Sequence, residues 1–576
     1  MSVLGDDTDI KNKRAILGWC FYDWANSAFA TSGIAAIFPA YFVVLFQQSL
    51  GDDASFFGRE LNATAMWSFG IAFSTIIVAF SSPVIGVIAD RFAIKKALLW
   101  IYTGVGSLAT VLSFFSVYTG NPWAWLFAFF VLGNIGFAGS IVIYNSFLPN
   151  VSPTKMLDDV SSRGFAYGYV GGGILLLVHL AAISLTSGTE IADLVTRLCI
   201  VSIGAWWFGW GLWTLRVMPE PPVSRSVEPM RIGRTVSMAF TELRTTLSQV
   251  KRFKVLSLYL VAYLLFNDGI QTVMAIAGAF AADTLGIPLL WIMLTLLIIQ
   301  FVAAFGSMGF SWLSRLLDTK KALTISLFGW SFIVLFGVAI APLAPQEHSE
   351  HDFQLEYDTE PSSPHAGNYR VTYVSALVEE NEELPWIEAL GNISTGQHFT
   401  SFDLVTVTSL AAIDEDFRYT ISILGGPYDG TVIMGSAHPS ILEESPLDWW
   451  PALIRDAIWS PLSLQAHYQW VLLGVSVGLV MGGSQALARS LFAQMTPKRK
   501  SMEFFSFFGF AGRASSVVGP LMFAVIATMF DTRLAIGSIL ILIVVGTFML
   551  RWVKVGEGVL VAEEENERIG RLRADA

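Results

Sequence analysis

Asp23-Trp24-Ala25-Asn26-Ser27 lies within a long apolar segment, and Asp268-Gly269-Ile270-Gln271-Thr272 lies within another with the same chemical order: acid, two residues, amide, hydroxyl. An ionisable side chain placed in hydrocarbon costs roughly 2.5–3.5 kcal/mol on insertion, so we expect such residues to have a function. Because the pattern occurs twice, the sequence predicts a membrane protein built from a duplicated unit.

The composition is that of an integral membrane protein. The 576 residues are 54% hydrophobic and 14% charged, whereas soluble proteins carry about 25% charged residues. Apolar runs of roughly 20 residues, enough to cross a hydrocarbon core of about 30 Å, recur along the chain. The sequence predicts twelve spans, at about 16–46, 63–89, 97–118, 122–148, 164–186, 195–217, 255–283, 289–313, 322–343, 469–491, 501–530 and 533–553.

The repeat extends beyond the two acidic stretches. Lys95-Lys96-Ala97-Leu98 recurs as Lys320-Lys321-Ala322-Leu323, at the same junction between a second and a third span. The predicted fold is therefore an all-α membrane protein of twelve helices in two pseudo-symmetric six-helix bundles. The predicted parts are 1–217 (first bundle), 218–254 (cytoplasmic amphipathic linker), 255–343 and 469–553 (second bundle), 344–468 (insertion) and 554–576 (tail).

Basic residues orient these spans. Most Lys and Arg fall in the termini and in the segments on the same predicted side, whereas the opposite side holds only Arg59, Arg197, Arg370, Arg418, Arg455 and Arg533. Cytoplasmic loops carry an excess of Lys and Arg, so we expect both termini in the cytoplasm. The protein would lie in the cell membrane, or in the vacuolar membrane of a eukaryote.

The insertion at 344–468 interrupts the membrane pattern. It is acidic, contains no lysine, and has alternating stretches at 369–374, 403–408 and 417–422 that predict strands with one solvated face. We therefore expect a small β-rich domain on the extracytoplasmic side, where a ligand or a partner protein could bind. Six of the seven histidines lie in or beside it, at spacings that fit no specific zinc site.

The junction after span 2 reads Gly86-Val87-Ile88-Ala89-Asp90-Arg91-Phe92-Ala93-Ile94-Lys95-Lys96. It resembles the cytoplasmic signature of the major facilitator superfamily, although Ala93 replaces the usual second glycine. Asp90 would pair with cations and cap a neighbouring helix in one conformation, and release that helix in another. We expect Gly86, Asp90, Arg91 and Lys95 to act in gating, although an ordinary short basic loop would give the same residues. The second half has Arg315 in place of the acid, which predicts a strong latch in the first half only.

Longer motifs carry a more specific resemblance. They are Tyr22–Phe29, Gly164–Tyr169 with Gly171-Gly172, Asn267–Thr272, Gly482–Ser490, and Glu503-Phe504-Phe505 followed by Gly519-Pro520. Together they resemble the major facilitator branch related to the autophagy-linked vacuolar amino-acid effluxer. The resemblance covers both bundles and omits the insertion. It implies a twelve-span permease that exports amino acids.

The two acidic stretches are the first candidate site. Asp23, Asn26 and Ser27 share one helical face, as do Asp268, Gln271 and Thr272, since residues three and four apart are neighbours on a helix. In superfamily geometry spans 1 and 7 line one central cavity, so the two faces would confront each other. The acids would bind protons or a substrate ammonium, with Asn26 and Gln271 orienting polar groups. The alternative is that each acid forms a structural pair with a basic residue.

Two arginines lie in the second half of the chain within apolar surroundings. Arg513, within span 11, could hold a substrate carboxylate in its planar fork, or could pair with Glu503 or with exposed carbonyls. Arg489, at the cytoplasmic end of span 10, is expected to form a structural or gating pair with Glu503.

These features predict a secondary active transporter, coupled to protons, that moves a small polar organic solute by alternating access, amino acids being favoured. The alternatives are a permease for drug or organic-anion efflux, and a transporter-derived receptor that binds a ligand through its extracytoplasmic domain. No Gly-x4-Gly-Lys-Ser/Thr loop and no nucleophile–base arrangement is present, so we expect neither ATP hydrolysis nor another enzyme activity. We expect a monomer in the lipid bilayer, without cofactor, metal or nucleic acid.

Overall fold

The structure is a computed structural model that describes residues 6–51, 53–56, 59–221, 238, 241, 252–359, 368–376, 384–414, 417–442 and 445–575. Twelve helices in this part of the chain are long and apolar enough to cross a membrane, which confirms the predicted number. We number them as spans 1 to 12: Lys13–Leu50, Met66–Phe92, Lys95–Tyr118, Pro122–Val151, Thr154–Thr186, Ala192–Val217, Lys254–Ala282, Leu290–Leu317, Thr319–Val338, Ala466–Gln494, Lys498–Met529 and Thr532–Trp552.

The two halves pack as related bundles. Span 1 packs against span 6 and span 3 against span 4, and the same pairs recur as span 7 with 12 and span 9 with 10. Between the halves, span 2 packs against span 11 and span 5 against span 8, two contacts that a twofold axis would exchange. The duplicated unit is confirmed, and the bundles meet along two symmetry-related seams.

The repeat is visible in the backbone as well. Ala93 and Asp318, which precede the matching starts of spans 3 and 9, have φ angles of 54° and 115°. These are the two halves' equivalent positions, because Lys95 and Lys320 align. Positive φ is unfavourable for residues with a Cβ atom, which explains why the superfamily usually has glycine where this chain has Ala93.

Side-chain caps fix where three of the spans begin. Glu220 accepts hydrogen bonds from the backbone N–H groups of Lys95 and Lys96, at 2.9 and 2.7 Å. Asp318 caps span 9 and Asp531 caps span 12, each accepting from the N–H group three residues later at 2.8 Å. Each carboxylate occupies N–H groups that have no partner within the helix.

Glycines let spans 1 and 5 approach closely. A Cβ atom at Gly164 would lie 2.8 Å from a carboxylate oxygen of Asp23, and one at Gly168 would lie 2.6 Å from the hydroxyl oxygen of Ser27. Small residues allow helix backbones to approach in this way. The glycines of span 5 therefore place its backbone directly against the acidic face of span 1.

Span 11 is broken in its middle. Its first helix, Ser501–Ala514, ends before a short turn, and its second helix begins at Val518 and runs to Met529. Span 1 also departs from a regular α-helix, since Phe29–Ile37 is π-helical. Such irregular backbone inside membrane spans is tolerated where protein groups or a cavity satisfy it.

The insertion forms a five-stranded sheet, as expected. Phe353–Thr359 is the central strand; it pairs in parallel with Thr420–Leu424 and antiparallel with Asn368–Ala376. The outer strands are His398–Thr400 and Thr431–Met434. The insertion also contains the α-helices Pro385–Leu390, Ser401–Ile413 and Trp449–Ile454. Elsewhere in the chain, a hairpin of Asp53–Phe56 and Arg59–Asn62 joins spans 1 and 2.

The strand predicted at 403–408 is wrong, because these residues lie in the helix Ser401–Ile413. Thr400 and Asp403 form a capping box that starts the helix. Leu404, Val407 and Leu410 are buried at helical spacing, whereas the alternation of β-branched residues had suggested a strand.

The two ends of the insertion are fastened to the second bundle. Arg533 at the start of span 12 donates to the carbonyl oxygens of Val338 and Ile340, at 2.6 and 2.7 Å, and its Nε lies 3.9 Å from Asp448. The Trp459 indole N–H donates to the carbonyl oxygen of Ala339 at 2.9 Å. The sheet domain is therefore attached where span 9 ends.

The linker helix predicted within 218–254 falls mostly outside the described residues. The tail forms the helix Val555–Asp575.

The inner face is defined as the face of the bundles that carries this helix and the junctions between spans 2 and 3, 4 and 5, 8 and 9, and 10 and 11. The outer face is the one that carries the inserted sheet.

Candidate functional site

Asp23 is buried in the interface between the bundles, with 8% of its surface exposed. The hydroxyl of Tyr144 donates a hydrogen bond to its Oδ2 at 2.7 Å. Arg489 of span 10 approaches the same oxygen with Nη1 at 3.3 Å. Spans 1 and 4 therefore contribute the acid and the phenol from the first bundle, and span 10 contributes the cation from the second.

Arg489 is enclosed by the first bundle. Its Nε donates to the Ser161 hydroxyl at 2.9 Å, Nη2 to the Ser161 carbonyl at 2.8 Å, and Nη1 to the Asn145 side-chain oxygen at 3.1 Å. The guanidinium also lies over the rings of Trp19 and Phe165, 4.7 and 4.1 Å from their centroids. The expected pairing of Arg489 with Glu503 is replaced by this set of partners, because the side chain points into the opposite bundle.

Asp268 has different surroundings, although its sequence context matches that of Asp23. Its carboxylate accepts hydrogen bonds from the N–H groups of Val518 and Gly519, at 3.2 and 3.0 Å. It thereby caps the second helix of span 11 at the break, and it is fully buried. The neighbouring Asn267 amide donates to the Ser515 hydroxyl within the break. These hydrogen-bond partners of Asp268 belong to its own bundle.

The hydroxyls and amides beside the two acids are also placed differently. Thr272 donates to the backbone carbonyl of Asp268 at 2.7 Å and is buried, whereas Gln271 is half-buried. Asn26 is 3% exposed, and its Nδ2 has no hydrogen-bond partner within the described part of the chain. Ser27 lies against Gly168 of span 5. The two acids therefore have different kinds of partner; that the two faces confront each other across one cavity stays a prediction.

Arg513 lies at the end of the first helix of span 11, just before the break. Its Nη2 donates to the carbonyl oxygen of Ala138 on span 4 at 2.9 Å. Its Nη1 is buried and has no hydrogen-bond partner among the residues that the structure describes. Since a buried guanidinium N–H without a partner is unfavourable, this nitrogen is available to an acceptor that enters from outside the protein.

Asp90 contacts a cation and the start of a neighbouring helix, as the latch predicted from the sequence requires; its role in gating stays a prediction. Its Oδ1 lies 2.6 Å from Lys95 Nζ, and its Oδ2 accepts from the backbone N–H of Glu503 at 2.9 Å. Lys95 also donates to the Ser501 hydroxyl at 2.7 Å. A Cβ atom at Gly86 would lie 3.0 Å from the Met502 carbonyl oxygen, so glycine is needed for this approach.

The other predicted gating residues lie close to this latch. Arg91 is half-buried in the last turn of span 2. Glu503 is 1% exposed, and its carboxylate lies 4.0 Å from Lys500 Nζ. The first turn of span 11 is thus held by Asp90 through its backbone and by lysines through its side chains.

A second latch, which the sequence did not reveal, joins the symmetry-related junction. Asp158 in the first turn of span 5 accepts hydrogen bonds from the Thr319 hydroxyl at 2.7 Å and from the Gln494 amide at 3.2 Å. The Ser490 hydroxyl also donates to it. The second half lacks the acid at the position of Arg315, and Asp158 of span 5 supplies one at that junction from the opposite side. That the Asp90 latch is the stronger of the two stays a prediction.

Together these contacts close the inner face. The two latches and the Asp23–Arg489 pair all join the first bundle to the second. Within the described residues, no cluster of His, Cys, Asp and Glu is arranged to hold a metal ion. A cavity of about 110 Å³ between Ile276, Ile299, Ile333 and Trp470 lies inside the second bundle, and its lining is almost entirely apolar.

Twelve spans in two bundles, with an acidic latch between spans 2 and 11, define a permease of the major facilitator superfamily. The solved structure of the proton:xylose symporter XylE matches 94% of this chain and 95% of its own, with a TM-score of 0.53. The sequence identity is 12%, so the likeness shows the fold.

The family follows from the sequence comparison. The family described as "Vacuole effluxer Atg22 like" matches residues 11–159, 150–343 and 450–563, and the chain belongs to that family. The match covers both bundles and leaves most of the inserted sheet domain outside.

Two similar proteins come from a bacterium and from a fungus. An uncharacterized MFS-type transporter of Bacillus subtilis, YxiO, is 25% identical over 95% of this chain and 97% of its own. Autophagy-related protein 22 of Coccidioides immitis is 24% identical over 56% of this chain and 68% of its own.

Proposed function

We propose that this transporter is driven by protons, with Asp23 as the coupling residue, and that it carries small organic solutes with a carboxylate group, amino acids being favoured. The observation that carries the proposal is the Asp23–Arg489 pair, a buried carboxylate and a buried guanidinium that approach to 3.3 Å from opposite bundles. A pair in this place links the charge of one residue to the separation of the bundles.

Protonation of Asp23 changes that link directly. A neutral carboxylic acid loses the attraction to Arg489, while Arg489 keeps its bonds to Ser161 and Asn145. Breaking a buried pair by removing one charge is strongly unfavourable, so the inner-closed state loses stability when Asp23 binds a proton. Proton binding therefore favours opening of the inner face, and release of the proton favours closure.

Arg513 supplies the contact proposed for the substrate. Its partnerless Nη1 can donate to a carboxylate, whose two oxygens suit the planar fork of arginine. It lies at the break of span 11, and in secondary transporters discontinuous helices form the substrate sites. The similarity to a family described as effluxers supports export as the direction.

A second candidate, export of organic anions that lack an ammonium group, is favoured by one observation. Asp268, which could otherwise bind a substrate ammonium, already accepts two backbone hydrogen bonds at the break of span 11. A simple organic anion would need only Arg513. The two candidates differ in whether an α-ammonium group improves transport.

We also propose that the inner face is cytoplasmic. Arg91, Lys95, Lys320, Arg499 and Lys500 lie at this face, and the basic residues of a membrane protein favour the cytoplasmic side. The inserted sheet domain would then lie outside the cell or within a vacuole.

The experiment is transport by the purified protein in liposomes with a pH gradient, using a labelled amino-acid mixture and labelled organic acids. Asp23→Asn is expected to lower gradient-driven uptake at least about tenfold while substrate exchange without a gradient persists. Esterified amino acids are expected not to compete, since they lack the carboxylate.

The matched control is Asp159→Asn. Asp159 is an acid at the inner end of span 5, but it pairs at 2.7 Å with Arg163 of the same helix, which is 47% exposed. Its loss should leave coupling unchanged. Full pH dependence in Asp23→Asn would contradict the coupling role, and equal transport of organic acids with and without an ammonium group would favour the second candidate.

A further inference from the structure

Glu565 in the tail helix is a buried charge that the proposed proton coupling does not use. It has no exposed surface, although its neighbours Glu563 and Glu564 are exposed. A buried carboxylate is unfavourable unless cations and hydrogen bonds compensate it. The surroundings of Glu565 should therefore contain those cations.

Three basic residues from three segments surround Glu565. Arg568 of the tail donates two hydrogen bonds to it, at 2.7 and 2.8 Å. Arg252, just before span 7, approaches to 2.8 Å, and Lys500, just before the first helix of span 11, lies at 3.6 Å. Burial alone would raise the pKa of Glu565, but Arg568, Lys500 and Arg252 hold this pKa below its ordinary value, so the group is ionised at neutral pH.

The tail helix makes further contacts with the turn between spans 10 and 11. The backbone N–H of Arg499 donates to the Asn566 side-chain oxygen at 3.1 Å. A Cβ atom at Gly558 would lie 2.8 Å from the sulfur of Met495. The helix thus lies directly on the segment that leads into span 11.

That segment is the one that Asp90 holds. Lys500 directly precedes Ser501. The Ser501 hydroxyl accepts hydrogen bonds from Lys95 and from Asn150 of span 4, at 2.7 and 3.0 Å. Two residues further on, the backbone N–H of Glu503 donates to Asp90. A group that fixes Lys500 therefore fixes the position of the helix turn that the latch must engage.

We propose that Glu565 is a positioning residue of the transport cycle, and that it clamps the turn before the first helix of span 11 to the tail and to the start of span 7 so that the latch at Asp90 stays engaged. The proposal rests on the proposed alternating access of the inner face. Opening that face moves the first turn of span 11 away from span 2. All partners of Glu565 belong to the second bundle and its tail, so the clamp holds this turn in the position that Asp90 engages and thereby favours the inner-closed state.

The test is a distance measurement between spin labels on the full-length protein in lipid, at Lys155→Cys and Lys321→Cys, with Cys20 and Cys199 replaced by alanine. Both lysines are exposed at the inner face, one on each bundle. Glu565→Gln is expected to increase the population with a long label distance about fivefold or more. Glu565→Asp should restore most of the original distribution, and Arg252→Gln should act in the same direction as Glu565→Gln.

Glu564→Gln is the matched control, since it removes an exposed acid from the same helix. Asp90→Asn is the reference for an opened latch. An unchanged distance distribution in Glu565→Gln, with the expected opening in Asp90→Asn, would overturn the clamp. The measurement needs neither substrate nor proton gradient, so failure of the clamp is distinguishable from failure of proton coupling, which liposome transport reports.

Discussion

Spans 1 and 7 carry the same acid–amide–hydroxyl pattern, yet their acids have opposite kinds of partner. Asp23 faces a charged residue of the other bundle, Arg489, whereas Asp268 holds backbone N–H groups of its own bundle. A charge that joins two moving bodies can couple protonation to motion, whereas a charge that caps a helix within one body stabilises that body. The two copies therefore keep the same residue pattern, while their acids have different kinds of partner.

The largest effect is expected at the cation. Arg489→Gln leaves Asp23 as a buried carboxylate without its charge partner, which should destabilise the protein by about 3–5 kcal/mol. The double variant Asp23→Asn/Arg489→Gln removes both charges and should recover most of this stability without recovering proton coupling. Thermal unfolding in detergent measures the first effect, and liposome transport measures the second.

If Arg489→Gln unfolded no more easily than the wild-type protein, the pair would contribute nothing to the closed state. The contrast between the two acids would then lose its basis, because both would be structural.

Asp268→Ala tests the other side of the comparison. Loss of a helix cap usually costs about 0.5–2 kcal/mol, so this variant should unfold more easily than Asp268→Asn, which keeps one acceptor oxygen. Neither variant should change the pH dependence of transport, which is the measurement that separates a cap from a proton site. Abolished proton coupling in Asp268→Asn, with normal stability, would show that the two acids act as an equal pair.

The two latches extend the comparison to the inner face. Asp90 engages an ammonium and a backbone N–H, whereas Asp158 engages hydroxyls and an amide, all neutral donors. Replacing Asp90 by asparagine leaves the buried Lys95 ammonium, which donates to Ser501 of the second bundle, without its charge partner. Removing one charge of a buried pair is strongly unfavourable, whereas loss of the Asp158 charge leaves only neutral donors. Asp90→Asn should therefore open the inner face more than Asp158→Asn, as measured by the same pair of spin labels.

Ser152, also at the inner face but bonded within its own segment, provides the neutral control as Ser152→Ala. A larger opening in Asp158→Asn than in Asp90→Asn would reverse the proposed ranking of the two latches.

Within the described residues, only the second half carries an inserted sheet domain. Its buried histidines predict that the stability of this domain depends on pH. Burial lowers the pKa of His351 and of His438 below the ordinary value of 6.5. Asp352 opposes this shift for both, Glu350 opposes it for His351, and His348 and Arg418 act in the same direction as burial. The stability that the two neutral histidines contribute is complete above about pH 6.5. It is lost as the pH falls through their lowered pKa values in the folded domain.

Hydrogen exchange of peptides from 353–434 should therefore accelerate between pH 7 and pH 5, after correction for the intrinsic rate, while peptides from spans 3 and 6 should not. The double variant His351→Gln/His438→Gln should lose this difference. Equal acceleration in the wild-type protein and the variant would contradict the assignment to these histidines.

The sequence predicted what is encoded locally. Apolar runs of the right length gave the twelve spans, and the matching junctions at Lys95 and Lys320 gave the duplicated bundles. The latch was predictable because Asp90, Lys95 and the glycine at 86 lie within eleven residues of one motif. The Asp23–Arg489 pair was not, since it joins positions far apart in the chain, and its partners are decided by how the bundles dock.

Asp158 and the residues at 403–408 show two other limits. Asp158 supplies, from a different span, the acid that the second half lacks at the position of Arg315, so no comparison of equivalent positions would find it. At 403–408 the β-branched residues favoured a strand, whereas the capping box at Thr400 and Asp403 and burial of every third residue decided for a helix. Tertiary packing outweighs local propensity in such short segments.

The smallest predicted effect compares the two strained turns that precede spans 3 and 9. Ala93 has a φ of 54° and nothing in its side chain to compensate, so Ala93→Gly should stabilise the protein by about 1 kcal/mol. Asp318 has a φ of 115°, but its carboxylate caps span 9 through the N–H of Lys321. Asp318→Gly gains backbone freedom and loses a cap of similar value, so it should be close to neutral. Thermal unfolding of the two variants side by side measures the difference, and an equal gain in both would show that the Asp318 cap contributes nothing.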